Sequence, residues 1–225
     1  MIDYSEFFNE KALVALFSTN DRNYKSDANK KNFIENINLK YENFRFPSQT
    51  HSSNVQFAKK SLKYNDTDGL VSESKSYNLG IVVADCVPIF LFDPLTKLYG
   101  LVHSGWRGSV NSIVKNAIDL FQMSGSKNEN IQAVLGPAIG HCCFEIEKNI
   151  IHLFEPKFLS RKSRKKYSCD LKSLIISDLL SLGLEKRKIL NDAHCTFCNR
   201  SSFFSYRRQG DTAGRMLAVM GWKGS

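Results

Sequence analysis

The sequence predicts a mixed α+β (mixed α/β) domain. Three observations point there. Continuous apolar, β-branched runs recur, as at 79–84 and 131–135, the pattern of strands buried on both faces. One stretch, 110–123, carries apolar residues at helical spacing. Strands and helices then mix without a strict βαβ alternation, which disfavours a doubly wound parallel sheet.

Composition bounds the rest. The chain has 225 residues and no linker-like stretch, so a single domain spanning 1–225 is expected. Apolar residues make up 42%, enough for a substantial core rather than disorder. Lys and Arg number 31 against 22 Asp and Glu, a net charge of +9. That field favours anionic ligands, or serves as a solubilising surface, but it fixes no fold. The start, Met1 to Glu6, lacks the basic and apolar regions of a signal peptide. No apolar run approaches the roughly 20 residues of a membrane helix. A cytoplasmic protein with no membrane partner is expected. Six cysteines in a chain this long suit thiol or metal-ligand roles better than a disulfide framework.

In chain order, Ala12 to Phe17 reads as a strand and Ala28 to Ile37 as a helix after a polar loop. Phe44 to Gln49 reads as a strand that delivers Thr50-His51-Ser52-Ser53. Asp66-Thr67-Asp68-Gly69 is a turn signal before a strand at Leu70 to Ser72. Leu79 to Ala84 feeds Asp85-Cys86. Phe90 to Phe92 and Tyr99 to Val102 are the arms of a hairpin opened by Asp93-Pro94. Folded about Leu95, it sets Cys86 opposite His103, give or take one residue, with Cβ atoms about 5 Å apart. Gly105 to Ser109 reads as a loop with Ser109 as N-cap of a helix over Val110 to Met123. Ile131 to Leu135 is a strand, 136–143 a loop, and Glu145 to Phe158 helical at least in part. Arg161 to Lys166 is a charge run that reads as a solvated loop. Leu171 to Leu182 is a helix stopped by Gly183. Ile189 to Asp192 leads to His194-Cys195-Thr196-Phe197-Cys198, and late strands are expected at 203–206 and 216–220.

Four constellations carry possible chemistry. His51, Cys86 and His103 make a catalytic zinc set, three N/S ligands with one open position, and Asp85 supports it or accepts a proton. The same Cys86 and His103 also make a nucleophile–base pair of the cysteine-hydrolase kind. The bland alternative is a buried cysteine with two structural histidines. Cys195-x-x-Cys198 is half of a zinc or redox motif; Cys142-Cys143 is a vicinal pair able to complete a structural site, and structural thiols are the plainer reading. Arg107, Arg207, Arg208 and Arg215 offer guanidinium forks to phosphate, or else ordinary salt bridges.

Asp85-Cys86-Val87-Pro88-Ile89, His103-Ser104-Gly105-Trp106-Arg107-Gly108, Gly136-Pro137-Ala138-Ile139, Cys143-Phe144-Glu145-Ile146 and Phe204-Ser205-Tyr206-Arg207-Arg208 follow one another in this order. With them the chain resembles the laccase-domain, or polyphenol oxidase (YfiH-like), family over about Gln49 to Gly221. The resemblance implies two packed mixed sheets flanked by helices. It implies one zinc on His51, Cys86 and His103, and phosphorolysis of purine nucleosides (adenosine, inosine, guanosine, methylthioadenosine) with phosphate. Adenosine deamination and a role in peptidoglycan editing go with the family as well. One departure stands out: Asn20 occupies the place of an arginine thought to bind phosphate, the glycines after it are missing, and Arg22 lies two residues on.

Three other functions compete with a zinc phosphorylase. A cysteine hydrolase or amidase would use Cys86 and His103 on cell-wall precursors. A copper laccase fits poorly, because one three-ligand site and five histidines do not make a His-rich multicopper array. A nucleic-acid-binding module would use the basic surface, yet no recognised nucleic-acid motif is present.

Overall fold

The computed structural model describes residues 1–60 and 63–224. Its strands are β1 (Ile2–Asp3), β2 (Leu13–Phe17), β3 (Phe44–Arg45), β4 (Val55–Phe57), β5 (Gly69–Ser72), β6 (Asn78–Val83) and β7 (Val87–Phe92). They continue with β8 (Tyr99–Ser104), β9 (Gln132–Leu135), β10 (Glu145–Glu147), β11 (Leu159–Arg161), β12 (Lys166–Cys169), β13 (Ile189–Asn191) and β14 (Met216–Trp222). The α-helices are α1 (Asp27–Asn36), α2 (Trp106–Val110), α3 (Ile113–Met123), α4 (Leu171–Ser181) and α5 (Tyr206–Gln209). None is long and apolar enough to cross a membrane among the described residues.

Two large mixed sheets form the body, in the orders β1-β2-β14-β6-β3 and β13-β9-β7-β8-β5-β4. Strand alternation sorts the core into layers. Phe17, Ile81, Ala218 and Met220 of the first sheet meet Phe90, Phe92, Tyr99 and Leu101 of the second. The opposite face of the first sheet, with Leu16, Leu217 and Val219, is covered by Ile34 of α1. The opposite face of the second, with Ile89 and Leu91, is covered by α3 and α4 through Ile118, Phe121 and Ile175. Because both faces are buried, β7 and β14 read as unbroken apolar runs rather than alternating ones. A small third sheet, β10-β12-β11, packs beside the second. The charge run is the exposed tip joining β11 and β12, with Arg161 and Lys166 at the strand ends.

The structure corrects four expectations. The 44–49 strand ends at Arg45, because Gln49 turns out of line and uses its amide to pair with Val82 from the side. The 110–123 helix is two helices, broken at Ser112, which takes a left-handed φ of 56°. Ser109 therefore lies inside α2 and is no N-cap; its hydroxyl bonds the Gly105 carbonyl at 3.0 Å. The helical expectation over 145–158 holds in part: after strand β10 come 3₁₀ helices at Lys148–Leu153 and Pro156–Phe158. Pro156 holds Glu155 extended, which denies that stretch a continuous α-helix. Residues 203–206 form no strand: Ser205 caps α5, its hydroxyl accepting the Arg208 N–H. Elsewhere the expected elements appear within a residue or two, except that β7 begins three residues before the expected arm at Phe90, and Gly183 ends α4 with φ 96°.

Phe90 is fully buried between the two sheets, whereas Leu95 at the hairpin tip is 73% exposed. Phe90→Ala should lower the unfolding free energy by about 3–5 kcal/mol, and Leu95→Ala by less than about 0.5 kcal/mol, as read by denaturant melts.

Candidate functional site

Chain crossings between the sheets build the site. After β6 the chain leaves the first sheet through Ala84-Asp85-Cys86 and enters the second as β7. Asp85 sits at φ 83°, a conformation few non-glycine residues adopt. Its carboxylate fixes that turn by accepting bonds from Thr196 Oγ1 (2.6 Å), Ser205 Oγ (3.0 Å) and the Arg207 N–H (2.7 Å). With three donors on it, Asp85 shapes the backbone beside Cys86.

His103 lies near the end of β8, paired across the hairpin with Pro88. The register pairs Val87 with Ser104, two positions from the pairing that a fold about Leu95 gives. Cys86 and His103 are therefore diagonal neighbours, at a Cβ spacing closer to 7–8 Å than the 5 Å expected for opposed residues. Long reach at one end compensates: the ligand atoms of His51, Cys86 and His103 all lie within 4.8 Å of one another. The two imidazole rings meet edge-on, centroids 4.9 Å apart. Pro88, which has no N–H, sits one residue before the ladder to β9 begins at Ile89.

Asp68 brings His51 to this point. Its side chain is wholly buried and accepts the backbone N–H groups of Thr50 (3.0 Å), His51 (3.0 Å) and Ser52 (2.7 Å). The same carboxylate bonds His103 Nδ1 at 2.7 Å. One group thus fixes the left-handed backbone of His51 (φ 63°) and orients the His103 ring, leaving Nε2 as the free nitrogen. The turn signal at 66–69 marked this residue only as loop; its role depends on β5 pairing with β8, which no local pattern announces.

Electrostatics follow from this packing. Burial raises the Asp68 carboxyl, but its bonds to His103 and Ser52 outweigh that and bring it down to about 2. Burial alone pushes the Cys86 thiol up; the adjoining His103, and then His51, bring it down to about 6. Burial disfavours a charged His103, yet Cys86 and Asp68 beside it raise it to about 9. Each partner thus favours the charged form of the other, and a cation bound between them would displace the shared proton. Gly105 belongs to the same close fit: a Cβ there would stand 3.0 Å from the His51 ring and 3.1 Å from Cys86 Sγ.

A cleft of about 730 Å³ opens onto these three side chains. Its walls combine Trp106, Phe144 and Ile150 with the cations Arg107, Arg207 and Arg215. The Arg107 guanidinium stacks on Trp106, 4.4 Å from the ring centre. Arg207 donates to the Glu145 carbonyl at 2.8 Å, and Arg215 to the carbonyls of Ala213 and Gly214. Arg208 does not line the cleft: its guanidinium is spent on the carbonyls of Thr196, Phe197 and Phe203. Asn20 lies outside as well, bonded to the Arg200 carbonyl. Glu145 of the Cys143–Ile146 motif lines the cleft too, as do Glu147 and Asn149, which no motif had marked.

Asp68→Asn is isosteric, but it removes the charge and sets an amide NH2 against backbone N–H donors on one side of the clamp. Zinc affinity at the His51–Cys86–His103 group should fall by roughly 10–100-fold, measured by competition with a chromophoric chelator.

The family described as multi-copper polyphenol oxidoreductase laccase matches residues 10–223. Purine nucleoside phosphorylase YlmD of Bacillus subtilis (strain 168) is 29% identical over 212 residues, covering 87% of this chain and 76% of that protein. Adenosine deaminase RL5, from an unknown prokaryotic organism, is 30% identical over 186 residues, covering 75% of this chain and 71% of that one. The crystal structure of YlmD from Geobacillus stearothermophilus superposes with a TM-score of 0.88 at 27% identity, over 94% of this chain and 92% of that chain. With nearly its whole length matched and its fold shared, the chain belongs to the laccase-like, YfiH-type family of polyphenol oxidoreductases.

Proposed function

We propose that this protein is a zinc-dependent purine nucleoside phosphorylase. The observation that carries the reading is the convergence of His51, Cys86 and His103 at the floor of a cleft with both apolar and cationic walls. A thiolate and two imidazoles, with no fourth protein donor grouped with them among the described residues, match the ligand set and open position of catalytic zinc. A multicopper array would need further histidine clusters; the other potential ligand group among the described residues is all cysteine. Zinc at this place supplies Lewis acidity toward an oxygen of phosphate or water.

The chain's own groups set out the rest. Trp106 and Phe144 offer flat apolar surface to a purine ring. Arg107, Arg207 and Arg215 hold phosphate and offset charge as it attacks the ribose C1′. The C1′–N bond breaks with its electron pair going to the base, which leaves protonated, and ribose 1-phosphate remains. Asp85 acts by holding the Cys86 turn, and Asp68 by holding the His51 backbone and the His103 imidazole. Deamination of adenosine in the same cleft is the second reading, favoured by the name of the relative RL5.

Incubation with adenosine or inosine, with and without phosphate, tests both. Free base that forms only with phosphate is the expected result; inosine formed from adenosine without phosphate marks the deaminase. Turnover should vanish in Cys86→Ala together with the bound metal, whereas activity in metal-free wild type that still needs the thiol would assign a cysteine hydrolase instead. Arg107→Ala should raise the KM for phosphate by about 10–100-fold, the loss of one charge-assisted contact.

A further inference from the structure

We propose that Cys142, Cys143, Cys195 and Cys198 form a second metal site, a closed tetrathiolate centre for zinc that is separate from the cleft. The four sulfurs come from two segments, the 136–143 loop and the C-x-x-C turn after β13, and all lie within 4.8 Å of one another. Cys143 Sγ is 3.4 Å from Cys142 Sγ and 3.3 Å from Cys198 Sγ, and Cys142 to Cys198 is 3.8 Å. Four sulfurs placed tetrahedrally about 2.3 Å from one zinc ion stand about 3.8 Å from each other. All six cysteines of the chain are free thiols, so the cluster is not two finished disulfides.

The backbone around the cluster is arranged for thiolate sulfur. The Gly140 N–H donates to Cys195 Sγ at 3.2 Å, the kind of bond that supports a metal-bound sulfur. A Cβ on Gly140 would stand 3.3 Å from Cys142 Sγ and 3.4 Å from Cys195 Sγ, so glycine keeps this approach open. The Asn199 backbone and side-chain N–H groups both bond the Cys195 carbonyl and close the C-x-x-C turn. A bridge between Ala138 and Cys195 aligns the two segments.

Four thiolates with no vacancy make a structural site, and tetrahedral sulfur selects zinc over harder cations. Binding releases the protons of the thiols to solvent and involves no electron transfer. The ion would tie the 136–143 loop to the turn that carries Thr196, whose hydroxyl holds Asp85 beside Cys86. It would brace the cleft from behind without touching what binds there.

The test uses the full chain, kept reduced, stripped with a chelator and titrated with zinc and then with cobalt. Cys86→Ala protein should still take up one equivalent and, with cobalt, show the sulfur-to-metal charge-transfer band of a tetrahedral thiolate site. That equivalent should disappear from Cys86→Ala/Cys198→Ser and return, with weaker affinity, in Cys86→Ala/Cys198→His, which guards against simple misfolding. Zinc should raise the Tm of Cys86→Ala and leave that of Cys86→Ala/Cys198→Ser unmoved. Zinc uptake absent from reduced Cys86→Ala, or undiminished by Cys198→Ser, overturns the proposal. Whether the cleft itself binds zinc does not affect these readouts.

Discussion

The Asp68 carboxylate is the constraint on which the site depends. A buried negative charge is costly unless several donors surround it. Here three backbone N–H groups of the 50–52 loop and the His103 ring fill that role. The arrangement is reciprocal. The loop could not hold His51 in a left-handed conformation without the acceptor, and the acceptor could not stay ionised without the loop. Folding therefore assembles the two imidazoles and their anchor as one unit, and only Cys86 arrives by a separate route.

That route is the crossing from the first sheet to the second. Asp85 takes a conformation that costs energy, and three donors from the 196–207 region hold it there. Two carboxylates thus do parallel work on either side of the cleft. Neither needs to touch a substrate to matter. The consequence is that the floor of the cleft draws on residues from Thr50 to Arg207, so loosening distant loops would blur it. The four-cysteine cluster sits on one of those distant supports, with Cys195 next to Thr196 in the chain.

The cleft walls are what the proposal of a nucleoside and phosphate rests on. Aromatic and aliphatic faces line one part, guanidinium groups another. Not every arginine in the sequence is available to an anion. Arg208 serves as a clamp on three carbonyls, and Asn20, standing where the family places an arginine, turns to another loop. Arg107, Arg207 and Arg215 remain at the cleft to carry the charge.

Much of the fold was legible because strands buried on both faces and the 113–121 apolar stripe leave local signatures. The residue types at His51, Cys86 and His103 were legible too, since thiol and imidazole have few other uses together. Local patterns failed where tertiary contacts overrode them, as at Ser109 inside a helix and Ser205 capping one. By itself the sequence determined the mixed sheet architecture and offered His51, Cys86 and His103 as a candidate ligand set. Only the tertiary structure decided the hairpin register, the burial of Asp68 and Asp85, which arginines face the cleft, and the meeting of four cysteines. Apart from the hairpin register, those rest on contacts between segments 16 to 122 residues apart, and no short-range periodicity encodes such distances.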